Sequence, residues 1–110
     1  MTKHILLALT NATPGNDAAF NDWYDKVHLP DVLNVDGFVA AQRFKLSDAQ
    51  RQSDTPYRYL AVYEIETDDL ARSVAELAHQ ADHVMELSDA FDRKRQAMVF
   101  TPITERITLK

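Results

Sequence analysis

The sequence predicts a single α+β domain of order β-α-β-β-α-β, a four-stranded antiparallel sheet with two helices on one face. Three observations predict it. The 110 residues suffice for one domain, spanning 1–110. The apolar spacing switches between the period of strands and that of helices along the chain. Clusters of Pro, Gly, Asn and Asp separate the periodic stretches. With 45% apolar and 26% charged residues, the composition is globular rather than disordered.

Ile5 to Leu9 is a short apolar run, the signature of a buried strand. Thr13-Pro14-Gly15-Asn16 breaks it, and Asn16 is a candidate N-cap with Asp17 in the favourable first turn. Phe20, Trp23, Tyr24 and Val27 then recur at i, i+3, i+4, i+7, one face of an amphipathic helix. Its end is expected near His28, because Pro30 pushes Leu29 away from helical angles. Asp36-Gly37 marks a turn into a strand over Phe38 to Leu46. Strict alternation places Phe38, Ala40, Gln42, Phe44 and Leu46 on one face and Val39, Ala41, Arg43 and Lys45 on the other. Ser47 to Pro56 is polar and reads as a loop. Tyr57 to Ile65, rich in aromatic and branched residues, is the third strand. A second helix begins at Asp68 with Thr67 as its cap, burying Leu70, Val74, Leu77 and Ala81; Val84 to Phe91 is a candidate short helix after it. Met98 to Ile107 is the last strand, and Pro102 within it indicates an edge position or a bulge.

This order is the split βαβ, ferredoxin-like arrangement. Two helices cover one face of such a sheet, yet large apolar groups occur on both faces of the strands: Tyr59 and Tyr63 alternate with Leu60 and Val62. A second copy of the chain is the expected cover for the other face, so a homodimer follows from the pattern.

Composition narrows the chemistry. There is no cysteine, which removes disulfides, thiol nucleophiles and Cys-ligated zinc. The net charge of −5 and the lack of a basic patch argue against a nucleic-acid partner; Arg93-Lys94-Arg95 lies beside Asp89 and Asp92. The apolar run Ile5–Leu9 is shorter than the roughly 7–15 residues of a secretory h-region. No stretch approaches the roughly 20 apolar residues of a membrane span. A cytoplasmic protein with no membrane partner is the expectation. With only Gly15 and Gly37 there is no phosphate-cradling loop, and no serine has the glycine flanks of a nucleophile elbow.

The segment Phe20-Asn21-Asp22-Trp23-Tyr24-Asp25-Lys26-Val27-His28-Leu29-Pro30 has the form F-x2-W-x4-H-x-P, followed by Gly37-Phe38. It resembles the EthD-like group of the dimeric α+β barrel superfamily. The resemblance implies a ferredoxin-like subunit that dimerises sheet to sheet. The superfamily includes muconolactone-type isomerases, polyketide cyclases, cofactor-independent monooxygenases and haem-degrading enzymes, so it does not select a reaction. Trp23, His28 and Pro30 match the motif, and of these only His28 has acid–base chemistry.

His28 is therefore the candidate catalytic residue. At a helix C-terminus the partial negative charge favours imidazolium, while burial beside Trp23 or Leu29 opposes it, which would hold the group near neutrality. Asp31 is a candidate to orient the ring. The plainer reading is a helix-end histidine that bonds a free carbonyl. Arg43, Tyr59 and Tyr63 are candidates to stabilise a developing oxyanion, with Trp23 and Tyr24 lining the same site; each could equally be core or interface. His79 and His83 have the i, i+4 spacing of two metal ligands, but they fall on the solvent side of their helix, away from Leu70, Val74 and Leu77, so no metal is expected.

The expectation is a small cofactor-free enzyme in which His28 moves a proton on a small apolar or aromatic carbonyl or phenolic compound. Isomerase, cyclase, lyase and cofactor-independent monooxygenase chemistries all suit this. The alternative is a non-catalytic protein that holds a small ligand or haem.

Overall fold

The chain folds, in a computed structural model that describes residues 2–110, as β1 (Thr2–Thr10), α1 (Asp17–Trp23), a π-helical turn (Tyr24–His28), α2 (Leu29–Leu33), β2 (Phe38–Lys45), β3 (Tyr59–Thr67), α3 (Leu70–His83) and β4 (Gln96–Phe100). The strands form one antiparallel sheet in the order β2-β3-β1-β4. This is the ferredoxin-like arrangement expected. Register decides which side chains face the helices. Ile65 lies opposite both His4 and Phe38, Tyr63 opposite Leu6 and Ala41, and Ala61 opposite Ala8 and Arg43. Leu6, Phe38, Tyr63 and Ile65 are buried there against Phe20, Tyr24 and Val32 of the helical layer.

Strict alternation misplaces one face of β2. Phe38 pairs with Ile65 but Ala40 pairs with Glu64, so Val39 is an extra residue, a β-bulge. The insertion changes the parity of everything after it. Phe38 points to the helices, whereas Phe44, expected on the same side, lies opposite Leu60 on the open face and is 44% exposed. Arg43 is thereby brought to the helix side beside Ala41.

The first helix does not stop at His28. It continues through a π turn, in which the Leu29 N–H donates to the Tyr24 carbonyl, and then runs on as α2 to Leu33. Pro30 sits in the first turn of α2. Proline has no N–H to extend an α-helical ladder from the preceding turn. The widened turn takes up that defect, and Leu29 keeps helical angles. Gly37 ends the connection to β2 with φ +96°, where a side chain would meet Ser73 Oγ at 2.8 Å.

Three further boundaries differ from expectation. Asp69, not Thr67, caps α3, accepting from the Arg72 N–H; the Thr67 hydroxyl accepts from the Asp69 N–H one step earlier. Residues 84–91 are not a helix. They return irregularly across the helical layer and end in a bridge between Phe91 and Ala12. β4 ends at Phe100 on the sheet edge, so Pro102 lies beyond the strand rather than in it. Without an N–H, Pro102 cannot continue the ladder.

The face of the sheet away from the helices carries Ile5, Phe44, Leu60, Val62, Met98 and Phe100, all partly or fully exposed. Among the described residues, no helix is long and apolar enough to cross a membrane.

Candidate active site

The π turn shapes the site. In a turn closed by an i→i+5 bond, residues four and five apart come to lie against the same side chain. His28 stacks on Trp23, with ring centroids 4.8 Å apart and planes 24° apart, and meets Tyr24 edge-on at 4.8 Å. Phe91, carried in by the irregular segment after α3, closes a third side at 6.4 Å. The indole N–H of Trp23 donates to the Glu86 carbonyl at 3.1 Å, fastening that segment over the site.

This enclosure decides the charge of His28. Burial pulls its pKa down from 6.5 to about 4, and the guanidiniums of Arg95 and Arg43 add to the effect. The balance expected from a helix terminus does not arise, because the helix runs on past His28 into α2. The imidazole is neutral at physiological pH. Its Nδ1 is the one buried side-chain nitrogen or oxygen among the described residues without a hydrogen-bond partner. No hydrogen bond joins Asp31 to His28 among the described residues.

Beneath His28 lies a polar seam. The hydroxyls of Tyr24 and Tyr63 share a hydrogen bond of 3.0 Å. Burial pushes both phenols up from their ordinary pKa; the Tyr24–Tyr63 hydrogen bond adds to the rise at Tyr63 and offsets it at Tyr24. Both therefore stay protonated and can donate. The Arg43 guanidinium lies 4.3 Å over the Tyr24 ring and donates to Asp25 Oδ1 and Asn21 Oδ1, each at 2.8 Å. Its side chain is only 13% exposed. Tyr59 sits at the outer end, its hydroxyl donating to Asp17 Oδ2 at 2.5 Å; burial, then this bond, push its phenol up.

Trp23, Tyr24, His28, Arg43, Tyr59 and Tyr63, picked from separate stretches of sequence, thus gather in one layer between sheet and helix. They do not surround an open cleft. The rings pack on one another, and the nearby opening is a groove of about 450 Å³ on the outer side of Trp23, lined also by Val27 and residues 86–89. Sequence reasoning missed Phe91 and Arg95. Arg95 reads as part of a solvated charge run, but it lies over the Phe91 ring at 5.1 Å and lowers the His28 pKa. No spacing rule connects residue 95 with residue 28; only the return of the chain after α3 does. His79 and His83 are exposed with rings 4.9 Å apart, and no group of three or more metal-ligating side chains occurs among the described residues.

Neither family models nor curated protein sequences give a match to this chain. Solved structures do. An EthD-like protein from Ralstonia eutropha is 15% identical, with 96% of each chain covered and a TM-score of 0.65. The haem degrader MhuD from Mycobacterium tuberculosis, solved with two haems in its active site, is 15% identical over 94% of this chain and 98% of its own, at 0.61. SnoaB from Streptomyces nogalater, a cofactor-independent oxygenase, is 15% identical over 96% and 97%, at 0.56. At such identities the likeness is one of fold. The chain has the ferredoxin-like subunit fold of the dimeric α+β barrel proteins, the fold it shares with EthD-type, haem-degrading and oxygenase structures.

Proposed function

We propose that this protein is a small cofactor-free enzyme that uses His28 as a neutral proton acceptor toward a small aromatic or apolar carbonyl or phenolic compound. The observation that carries the reading is the buried, unpartnered Nδ1 of His28. In the tautomer with its proton on Nε2, Nδ1 is a lone acceptor held away from water, which is costly unless something supplies it a proton donor; an acidic C–H or phenolic O–H is such a donor. The imidazole is unprotonated at physiological pH, but a pKa of about 4 makes it a weaker base than free histidine, so the reading requires the oxyanion it leaves behind to be strongly stabilised. The phenols of Tyr24 and Tyr63 and the Arg43 guanidinium stand in the same layer to stabilise the oxyanion left behind. Trp23 offers an aromatic face at the groove. Entry to His28 requires the segment 84–91 to move, and the Trp23–Glu86 bond is one of its fastenings.

Haem is a poorer fit to the residues as they stand. Imidazole is a suitable iron ligand, but Nδ1 lies enclosed beneath Trp23, Tyr24 and Phe91. Simple retention of a small ligand, without turnover, is the second reading; the close ring packing around His28 favours it over the first only if no proton transfer is found.

The test uses 2-tetralone, an aromatic ketone with an acidic C–H beside its carbonyl. Exchange of that hydrogen in deuterated water is followed by NMR with wild-type protein and with His28→Ala. The wild type is expected to accelerate exchange, and His28→Ala to lose roughly 10²–10⁴-fold of that acceleration. Equal exchange with both proteins, or no acceleration by the wild type, refutes the acid–base reading. Quenching of Trp23, the single tryptophan, without exchange supports retention of a ligand.

We further infer a homodimer formed through the open sheet faces. The apolar row of Ile5, Phe44, Leu60, Val62, Met98 and Phe100 supports it, since an uncovered sheet face of this composition is unusual for a monomer. Sedimentation at micromolar concentration tests it.

A further inference from the structure

Two guanidiniums act on the His28 imidazole, those of Arg95 and Arg43. They differ in what already holds them. Arg43 is committed: it donates to Asp25 Oδ1 and Asn21 Oδ1, each at 2.8 Å, and is largely buried. Arg95 has neither an ion pair nor a hydrogen bond among the described residues. The acids near it in sequence do not engage it. Asp92 Oδ1 accepts from the Lys94 N–H at 2.9 Å, and Asp89 lines the groove on the outer side of Trp23 together with Glu86.

Arg95 is nevertheless not a loose surface cation. Its guanidinium lies over the Phe91 ring, 5.1 Å from the centroid, in a cation–π contact. Phe91 is buried and packs against Trp23 at 5.6 Å and His28 at 6.4 Å. The backbone holds this platform from both sides. Phe91 bridges to Ala12, and the Thr13 N–H donates to the Ala90 carbonyl at 2.8 Å. Gln96, the residue after Arg95, pairs with Leu9 in the sheet. The uncommitted cation is therefore held one aromatic ring away from the candidate base.

A guanidinium with no counter-ion is matched by a carboxylate, which accepts two parallel N–H bonds from it. The net charge of −5 opposes an anion at long range, but physiological salt screens that field beyond about 8 Å, so the contact itself decides. Glu86 and Asp89 at the groove repel the same carboxylate, which leaves Trp23 for the apolar end of the ligand and Arg95 for its charge.

Such a ligand also answers the weakness of His28 as a base. The charged and titratable groups around the imidazole are Tyr24 on the π turn with Tyr63 behind it on β3, Arg43 on β2, Arg95 ahead of β4, and Glu86 and Asp89 at the groove. Of these, the two cations oppose its protonation. A carboxylate on Arg95 offsets that cation and brings a negative charge of its own, which favours imidazolium. The ligand thereby strengthens the base that acts on it.

We propose that the ligand of this site is an aromatic or apolar compound bearing a carboxylate, and that Arg95 receives the carboxylate. The proposal rests on the reading of His28 as a base and names the class of its substrate.

The experiment compares phenylacetate with phenylacetamide, its neutral analogue, by NMR titration of the wild type, Arg95→Gln, Arg95→Lys and His28→Ala at neutral pH. Arg95 is exposed, so its replacement retains the fold, as circular dichroism will verify. The wild type is expected to bind phenylacetate about tenfold more tightly than phenylacetamide, the scale of one partly exposed charge-assisted contact. Arg95→Gln is expected to lose that preference, and Arg95→Lys to keep part of it. Saturating phenylacetate is expected to move the His28 titration upward in the wild type and to leave it unmoved in Arg95→Gln, a response that a carboxylate paired elsewhere on the surface does not produce. Equal affinity for the two compounds, binding of neither at millimolar concentration, a preference that survives Arg95→Gln, or an unmoved His28 titration each overturns the role of Arg95. The failure of the underlying reading looks different. Exchange on the uncharged 2-tetralone without an anion preference overturns Arg95 alone, whereas an anion preference that persists in His28→Ala, with no exchange by the wild type, overturns the acid–base reading alone.

Discussion

Replacing His28 with phenylalanine separates the packing of this side chain from its proton. Phenylalanine keeps an aromatic ring against Trp23 and Tyr24 but cannot titrate. In the unfolded chain the imidazole has its ordinary pKa of 6.5, and in the folded chain about 4. Between those values the unfolded chain binds more protons than the folded one, so stability rises with pH across the window. The stability is fully present above 6.5 and is lost as the pH falls toward 4. The difference between the two pKa values corresponds to about 3 kcal/mol. Urea denaturation at fixed protein concentration, from neutral pH down to the lower end of this window, measures it. The wild type is expected to lose about 3 kcal/mol more than His28→Phe over that range; the carboxylates titrate in both proteins and cancel. If the two curves fall in parallel, His28 is not held neutral by burial.

The other predictions concern the layer around it. Tyr24→Phe and Tyr63→Phe each leave one buried hydroxyl unpaired, so each costs roughly 1–3 kcal/mol, while the double variant costs less than the two together. A double-mutant cycle by urea denaturation reads the coupling, and strict additivity contradicts the buried hydroxyl pair. Gly37→Ala places a Cβ 2.8 Å from Ser73 Oγ at positive φ, whereas Gly15→Ala meets open space at φ +79°. The first is expected to cost roughly 1–3 kcal/mol and the second about 1 kcal/mol; equal melting temperatures for the two variants contradict the close approach at Gly37.

Much of the architecture is legible in the sequence because it follows from short-range periodicity. The stripe Phe20, Trp23, Tyr24 and Val27, the alternation in Tyr59–Ile65 and the turn at Asp36-Gly37 each carry a local physical reason, and together they give the order of elements. What escapes is non-local or depends on a single inserted residue. The bulge at Val39 reverses the sidedness of β2 without any turn residue to announce it. Pro30 reads as a helix stop, yet a π turn lets the helix pass it, and that same turn stacks His28 on Trp23. Pro102, by contrast, does end its strand, because an edge strand has no packed helix to carry it onward. The gathering of candidate residues in one layer follows from the fold class, but the partners that set their chemistry do not. Arg95, Phe91 and Glu86 reach His28 and Trp23 through an irregular return of the chain, where propensity has nothing to say. The direction of the His28 pKa shift was accordingly open in the sequence, where a helix end and burial pull oppositely; in the folded chain burial lowers it, with Arg95 and Arg43 adding to the effect.

The account stands on His28 being a buried, neutral proton acceptor, and a histidine-selective NMR titration tests this most directly. The chain has four histidines. One imidazole signal, absent from His28→Phe, is expected to remain neutral through physiological pH and to titrate near 4. If that signal instead titrates near the ordinary value of about 6.5, the ring is solvated and the buried, unpartnered imidazole does not exist in the folded protein.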